Sequence, residues 1–197
     1  MTPNKTPPLI LASTSAYRAE LLKKLEIPFT TLNPDVDETP ALHEKPADLA
    51  LRLAVSKSHA GAQQRERGLV IGSDQVACLN EQPLGKPGTL ERATAQLTSF
   101  SGRKVDFHTA IAITDAETGQ TRSRLETTRV HFRALSKEQI ARYLEAERPF
   151  DCAGSFKVEG LGIALFQEIS SRDPNALIGL PLIALIDLLA EFGVSVP

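Results

Sequence analysis

The stretch "LILASTSAYRAELL" (residues 9–22) changes its hydrophobic period partway, and that change restricts the folds open to the chain. Leu9 to Ala12 is an unbroken apolar run, as in a strand covered on both faces. From Ser15 onward Ala19, Leu21, Leu22 and Leu25 recur at helical spacing, and Pro28 ends the pattern. Strand, hydroxyl-rich turn and helix in that order open an α/β unit. "FTTLNP" supplies a second short strand, followed by an acidic turn around Asp35, Asp37 and Glu38. Pro46 suits the first turn of another helix, which Leu49, Leu53 and Ala60 continue on one side toward Gly61. "GLVIGSDQVACL" is again strand-like, but Gly72-Ser73-Asp74 interrupts it, which predicts a bend or a departure from the sheet at Asp74.

Further along, "PLGKPG" is a Gly/Pro loop presenting Lys86, and a helix is expected from Thr89 to Phe100. "VDFHTAIAITDAETGQTRSRLETTRVHF" predicts a long hairpin turning near residues 117–119. Its strands are antiparallel, so the sheet is mixed and flanked by helices. Ser136 is placed to cap the helix "SKEQIARYLEAE", with Gln139 in the third helical position. The last third reads as a glycine-punctuated loop "CAGSFKVEG", a strand "LGIALFQEI", a loop "SSRDPNALIGLP" and a final helix. That helix lies in the most apolar segment, "IGLPLIALIDLLAEFG", which Pro181 and Asp187 interrupt and which is too short for a membrane span. It reads as a buried helix. With 197 residues and no repeat or linker, one domain over residues 1–197 is expected, residues 1–7 forming a flexible lead.

A net charge of −2 gives no basic footprint, which argues against a nucleic-acid polymer as partner. Cys78 and Cys152 are far apart without metal-ligand spacing, so neither a disulfide framework nor a zinc site is expected, and a cytoplasmic location fits. The apolar run near the N-terminus is shorter than a secretory signal requires.

Three loops place charge beside glycines or hydroxyls: residues 13–18, 72–74 and 85–86. Each falls at or near a strand end, where open α/β sheets bind ligands. The Ser13-Thr14-Ser15 turn with Arg18 has the makings of a phosphate cradle, because helix N-termini carry partial positive charge. The same hydroxyls can equally serve as helix caps. Lys86 offers a second phosphate contact, although GxxxxGK[ST] spacing is missing and a solvated turn lysine is the plainer reading. Asp74, Asp35, Asp37 and Glu38 offer hard oxygen donors of the kind Mg²⁺ or Mn²⁺ takes. Acidic residues beside proline also form turns, whereas a carboxylate inside an apolar strand is costly unless paired or used. There is no GxSxG or HExxH, Ser155 reads as a loop residue rather than a nucleophile, and His59 and His108 read as structural or solvated.

In order, "LILASTSAYRAELL", "VDET", "RLAVSKSHA", "IGSDQV", "GKP", "CAGSFKVEG" and "NALIGLPL" resemble the motifs of the Maf family of nucleoside-triphosphate pyrophosphatases. The resemblance spans residue 9 to about residue 189, and within the family it is nearest the branch that hydrolyses 7-methyl-GTP. It implies an inosine-triphosphatase-like α/β fold, two-lobed with a cleft, a divalent cation, and cleavage of a nucleoside triphosphate to monophosphate and pyrophosphate. Such an activity would remove modified nucleotides before their incorporation into nucleic acid. By the family pattern Asp74 is the proton acceptor, and Ser13, Arg18, Glu38, Lys57 and Lys86 line the phosphate and metal site. The family also suggests a homodimer and a link to cell-division arrest.

Two departures from the commoner family pattern bear on the substrate. The usual "SPRR" is here Ser15-Ala16-Tyr17-Arg18, and the usual "KAGAYAIQG" is "CAGSFKVEG", so that Cys152 replaces a lysine and Glu159 a glutamine. N7-methylation leaves guanine cationic, and a planar cation on an aromatic face gains about 0.5–2 kcal/mol. Tyr17 is placed to supply that face, with packing against Leu21 as its plainer alternative. The guanine edge presents N1–H and N2–H₂ side by side, which the Glu159 carboxylate can accept, while a uracil or thymine edge suits a glutamine better. Gln75, next to Asp74, is expected to add a polar contact to the base. The competing expectations are a pyrophosphatase for dTTP, UTP or other unmethylated nucleotides, and a nucleotide-binding regulator of septum formation that needs no catalysis.

Overall fold

A computed structural model describes residues 7–196, so the expected flexible lead falls, apart from Pro7, outside the described residues. The two predicted α/β units are present: β1 (Leu9–Ala12), α1 (Ala16–Lys23), β2 (Phe29–Leu32), α2 (Pro46–Ala62) and β3 (Leu69–Leu79). Then come β4 (Gln82–Leu84), α3 (Leu90–Phe100), β5 (Lys104–Asp115), β6 (Thr121–Phe132), α4 (Lys137–Glu147), β7 (Phe166–Ser170) and α5 (Leu182–Glu191). The helix starts follow local chemistry. Ser15 and Thr89 accept the backbone N–H of Arg18 and Arg92, and Ser136 with Gln139 forms a reciprocal capping box.

The seven strands form one mixed sheet in the order β2-β1-β3-β5-β6-β7, with β4 paired to β3. β1 runs parallel to β2 and β3, while β3-β5, β5-β6 and β6-β7 are antiparallel. On one face α2 packs through Leu49, Leu53 and Ala54 onto Val76, Ala110 and Ala112. The opposite face carries two separate cores. Leu9, Leu11, Leu69, Ile71, Ile111 and Ile113 pack under α1 and α5 at one end. Val105, Phe107, Val130 and Phe132 pack under α3 and α4 at the other, together with Phe100, Phe156 and Phe166. Edge-to-face contacts link Phe107, Phe132, Phe156 and Phe166, with Phe156 and Phe166 centroids 4.7 Å apart, and Phe100 packs on Phe132 at a tilt.

The boundary between the two cores can be read along the strands. On this face β3 presents Leu69 and Ile71, then Ser73 and Gln75, then Ala77, and β5 presents Thr109 between Ile111 and Phe107. Buried hydroxyl and amide groups there need partners, and residues 176–179 supply carbonyl oxygens to all three. Asp173, fully buried, holds that segment by accepting from Asn175 N at 2.8 Å and Ile183 N at 2.7 Å.

Two sequence expectations are corrected. β3 neither bends out of the sheet nor stops at Asp74, which pairs with Ala110 in the middle of an unbroken ladder. The glycine has another cause: a Cβ on Gly72 would lie 2.1 Å from Ala54 O and 2.5 Å from Ser58 N, so it is the close approach of α2 that excludes a side chain. "LGIALFQEI" is not strand throughout, because Leu161–Leu165 forms a 3-10 turn and the strand begins only at Phe166. The predicted apolar helix at the C-terminus is α5, buried through Leu185, Leu188 and Leu189, and no helix among the described residues is long and apolar enough to cross a membrane.

Candidate active site

The register of β3 explains where a ligand can enter. On the side away from β5, β3 pairs with β1 only through Ile71 and with β4 only from Ala77. Residues 72–76 therefore have no neighbouring strand on that side. A cleft of about 980 Å³ opens there, walled by the β1-α1 turn and the loop after β2 on one side and by residues 83–86 and 151–159 on the other. This is the two-lobed arrangement expected. Of the candidate site residues all but Asp37 line the cleft: Ser13, Tyr17 and Arg18 from the first turn, Asp35 and Glu38 from the acidic loop, Lys57 from α2, and Asp74 and Gln75 from β3. Lys86 and Glu159 face them from the second lobe.

At the centre lies a charged triplet. Lys57 Nζ is 2.6 Å from Asp74 Oδ1 and 2.6 Å from Glu38 Oε1, with Lys57 and Asp74 both buried. Burial alone would push Glu38 up, but the hydrogen bond and charge of Lys57, backed by Lys86 and Arg18, outweigh it and hold the carboxyl below its ordinary value. Arg18 donates from Nε to Gly179 O at 2.9 Å and from its guanidinium to Ser13 Oγ at 3.4 Å. Burial pulls Arg18 below its ordinary pKa against the attraction of Asp74 and Glu38, and a guanidinium still keeps its charge at neutral pH. Three cations thus line one wall-to-wall path with two carboxylates. That composition suits a polyanion held with a divalent ion better than a neutral ligand.

Not every residue has the partners expected of it. Ser13 Oγ also accepts from Ser15 N at 3.1 Å, and Ser15 caps α1, so the hydroxyls do serve as caps. Asp37 accepts from Thr39 N at 2.9 Å and acts as a turn former, unlike its neighbour Glu38. Gln75 lines the cleft, but its amide nitrogen lies within 3.0 Å of Thr109 Oγ1, Ala176 O and Leu177 O. Those acceptors commit its N–H groups and leave Oε1 for a polar contact to a ligand. Lys157 Nζ donates to Glu147 O at 3.4 Å; burial pulls its pKa down, but Tyr17 and Cys152 beside it outweigh that and raise it above its ordinary value. Burial pushes the Cys152 thiol up to about 11, which leaves it protonated and unreactive at neutral pH. Its Sγ is 3.9 Å from Tyr17 Oη, and burial and Cys152 together raise the Tyr17 phenol. His59 and His108 bond to Thr121 and Thr127 outside the cleft, and Ser155, at the end of a 3-10 turn, is buried and donates to Gln96.

Sequence reasoning passed over Ser73 and Gly179. Ser73 Oγ lies 2.8 Å from Ala110 O and 3.0 Å from Gly179 O, and the Gly179 carbonyl also receives Arg18. A hydroxyl within the apolar run of β3 was the available signal.

The comparison with known families decides the assignment: residues 8–192 match the family described as Maf-like protein. The chain belongs to the Maf family. Among relatives of this Maf protein, the 7-methyl-GTP pyrophosphatase of Vibrio vulnificus is 54% identical over 95% of this chain and 96% of its own length. That of Aromatoleum aromaticum is 54% identical over 96% and 97%, and that of Pseudomonas savastanoi pv. phaseolicola 52% over 97% and 100%. Among solved structures, the Staphylococcus aureus Ham1 protein aligns over 94% of the Maf chain and 97% of its own, at a TM-score of 0.49 and 15% identity, a likeness too slight to bear weight.

Among the described residues no group of three or more His, Cys, Asp or Glu is gathered to hold a metal. Glu38 and Asp74 nevertheless converge on one point, each 2.6 Å from the Lys57 ammonium. Two carboxylates are what Mg²⁺ takes from a protein when phosphates and water complete its shell, so the donor set fits.

Proposed function

We propose that this Maf protein hydrolyses 7-methyl-GTP to 7-methyl-GMP and pyrophosphate in the cytoplasm. The observation that carries the reading is the buried Asp74–Lys57 pair, which meets Glu38 in a cleft that also holds Arg18 and Lys86 and is flanked by Tyr17 and Glu159. The names of its relatives support the substrate.

In this reading Arg18, Lys57 and Lys86 neutralise the triphosphate, and Ser13 orients Arg18. Asp74 Oδ1 is taken by Lys57, and Oδ2 accepts the proton of the attacking water. A water oxygen–α-phosphorus bond forms, the α–β bridge breaks, and pyrophosphate leaves with the electron pair. Glu38 and Asp74 would hold Mg²⁺ or Mn²⁺, which supplies charge stabilisation to the phosphoryl oxygens. Tyr17 gives the cationic base an aromatic face, and exposed Glu159 accepts from its N1–H and N2–H₂ edge.

The test is a substrate panel with product identification, comparing 7-methyl-GTP, GTP, dTTP and UTP in Mg²⁺ and in Mn²⁺. The expected order puts 7-methyl-GTP first. Equal or faster turnover of dTTP or UTP overturns the substrate, and tight binding without pyrophosphate release at any divalent-ion concentration favours the non-catalytic regulator. Glu159→Gln with Tyr17→Arg is expected to lower kcat/KM for 7-methyl-GTP relative to UTP by about 100-fold, as one charge-assisted hydrogen-bond pair and one cation–aromatic contact are lost. An unchanged ratio would remove both residues from base recognition.

A further inference from the structure

Glu38 sits in a segment with little of its own to hold it. Residues 33–45 contain neither helix nor strand and are mostly exposed. The Glu38 side chain is 61% exposed, and an ion pair so open to water is weak unless its geometry is fixed from elsewhere. Among the described residues, the side-chain hydrogen bonds and ion pairs that tie this loop to the body come from two residues of α2. One is Lys57 itself. The other is Arg52, whose guanidinium grips Glu44 at both oxygens, Nε to Oε1 at 2.6 Å and Nη2 to Oε2 at 2.8 Å, while Nη2 also donates to Thr39 O at 3.1 Å. Glu44 Oε2 closes the loop on itself by accepting from Ala41 N at 2.9 Å. Its side chain is only 10% exposed, and these bonds hold its carboxyl down at about 2, fully ionised.

Five positions separate Arg52 from Lys57, which turns their side chains about 140° apart on the helix. Lys57 accordingly lines the cleft, and neither Arg52 nor Glu44 does. The guanidinium bonds the carbonyl of Thr39, the residue next to Glu38, so the clasp fixes the backbone at the point where the carboxylate departs. A planar fork on a carboxylate constrains direction as well as distance, which an ammonium would not.

We propose that Arg52 is a positioning residue for the reaction: through Glu44 and the Thr39 carbonyl it sets the acidic loop so that Glu38 meets Lys57 and Asp74. The proposal rests on the pyrophosphatase reading for its kinetic test but not for its structural one.

The structural test is limited proteolysis with a glutamyl endopeptidase, following cleavage after Glu38. Arg52→Met is expected to speed that cleavage about tenfold and Arg52→Lys by an intermediate amount, because the loop opens more often without its fork. Glu44→Gln, which keeps size and the Ala41 contact, serves should Arg52→Met fail to fold. Cleavage as slow as in the wild type overturns the proposal, whatever the protein's substrate. The kinetic test is a cycle with Glu38→Gln. Arg52→Met is expected to lower kcat about tenfold with KM within about twofold, and to cost nothing further once Glu38 is already Gln. Losses that multiply in the double variant would mean that Arg52 acts on stability rather than through Glu38, and would overturn the proposal. A wild type that cleaves no nucleoside triphosphate refutes the proposed function, while the proteolysis result still decides whether Arg52 places Glu38.

Discussion

Asp74→Asn is expected to cut pyrophosphate release by roughly three orders of magnitude, within the range general-base removal produces, while the fold survives. Asparagine keeps an oxygen for the Lys57 ammonium, and Glu38 remains 2.6 Å away as a carboxylate partner, so the buried cation is not stranded. What the amide lacks is basicity. The backbone at this position is held in the β3-β5 ladder opposite Ala110 and does not depend on the side chain. Steady-state release of pyrophosphate, beside circular dichroism and a thermal melt of the same sample, checks both halves. A folded variant that keeps more than about a tenth of wild-type turnover would strip Asp74 of its role as proton acceptor.

Gly72→Val is expected to have the largest effect on stability. The new Cβ would sit 2.1 Å from Ala54 O and 2.5 Å from Ser58 N, both backbone atoms of α2, so no side-chain rotation can relieve the clash. Overpacking against rigid backbone costs about 3 kcal/mol or more, which for a chain of this size lowers Tm by about 6–12 °C. The helix that must retreat carries Lys57, so turnover is expected to fall even where the variant is still folded. Differential scanning calorimetry with a parallel activity assay measures both, and a Tm within about 2 °C of wild type would show that α2 yields freely.

Much of this could be read from residue patterns. The switch of period at Ser13–Ser15, the Pro46 helix start, the long hairpin and the Ser136 cap depend on local chemistry, and the structure bears them out. Gly72 misled because a glycine in a strand reads the same whether it marks a bend or the approach of another element, and only the packing of α2 distinguishes these. The meeting of Ser13, Lys57, Asp74 and Lys86 in one cleft also followed from family resemblance more than from spacing, since no local rule joins a turn, a helix, a strand and a distant loop. That the N–H groups of Gln75 are already committed could not be read, because their carbonyl acceptors, Ala176 and Leu177, lie 101 and 102 residues away in the chain.

The ladder beneath the cleft has a bearing on motion. Ten successive residues of β3, Leu69 to Cys78, pair with β5 without interruption, and β5 pairs along nearly its whole length with β6. A hinge needs a break in such a plate, and none occurs between the two halves. The halves are thus bolted together, and any gating of the nucleotide belongs to the two rims outside the ladder, residues 33–45 and 151–160, which carry Glu38 and Glu159.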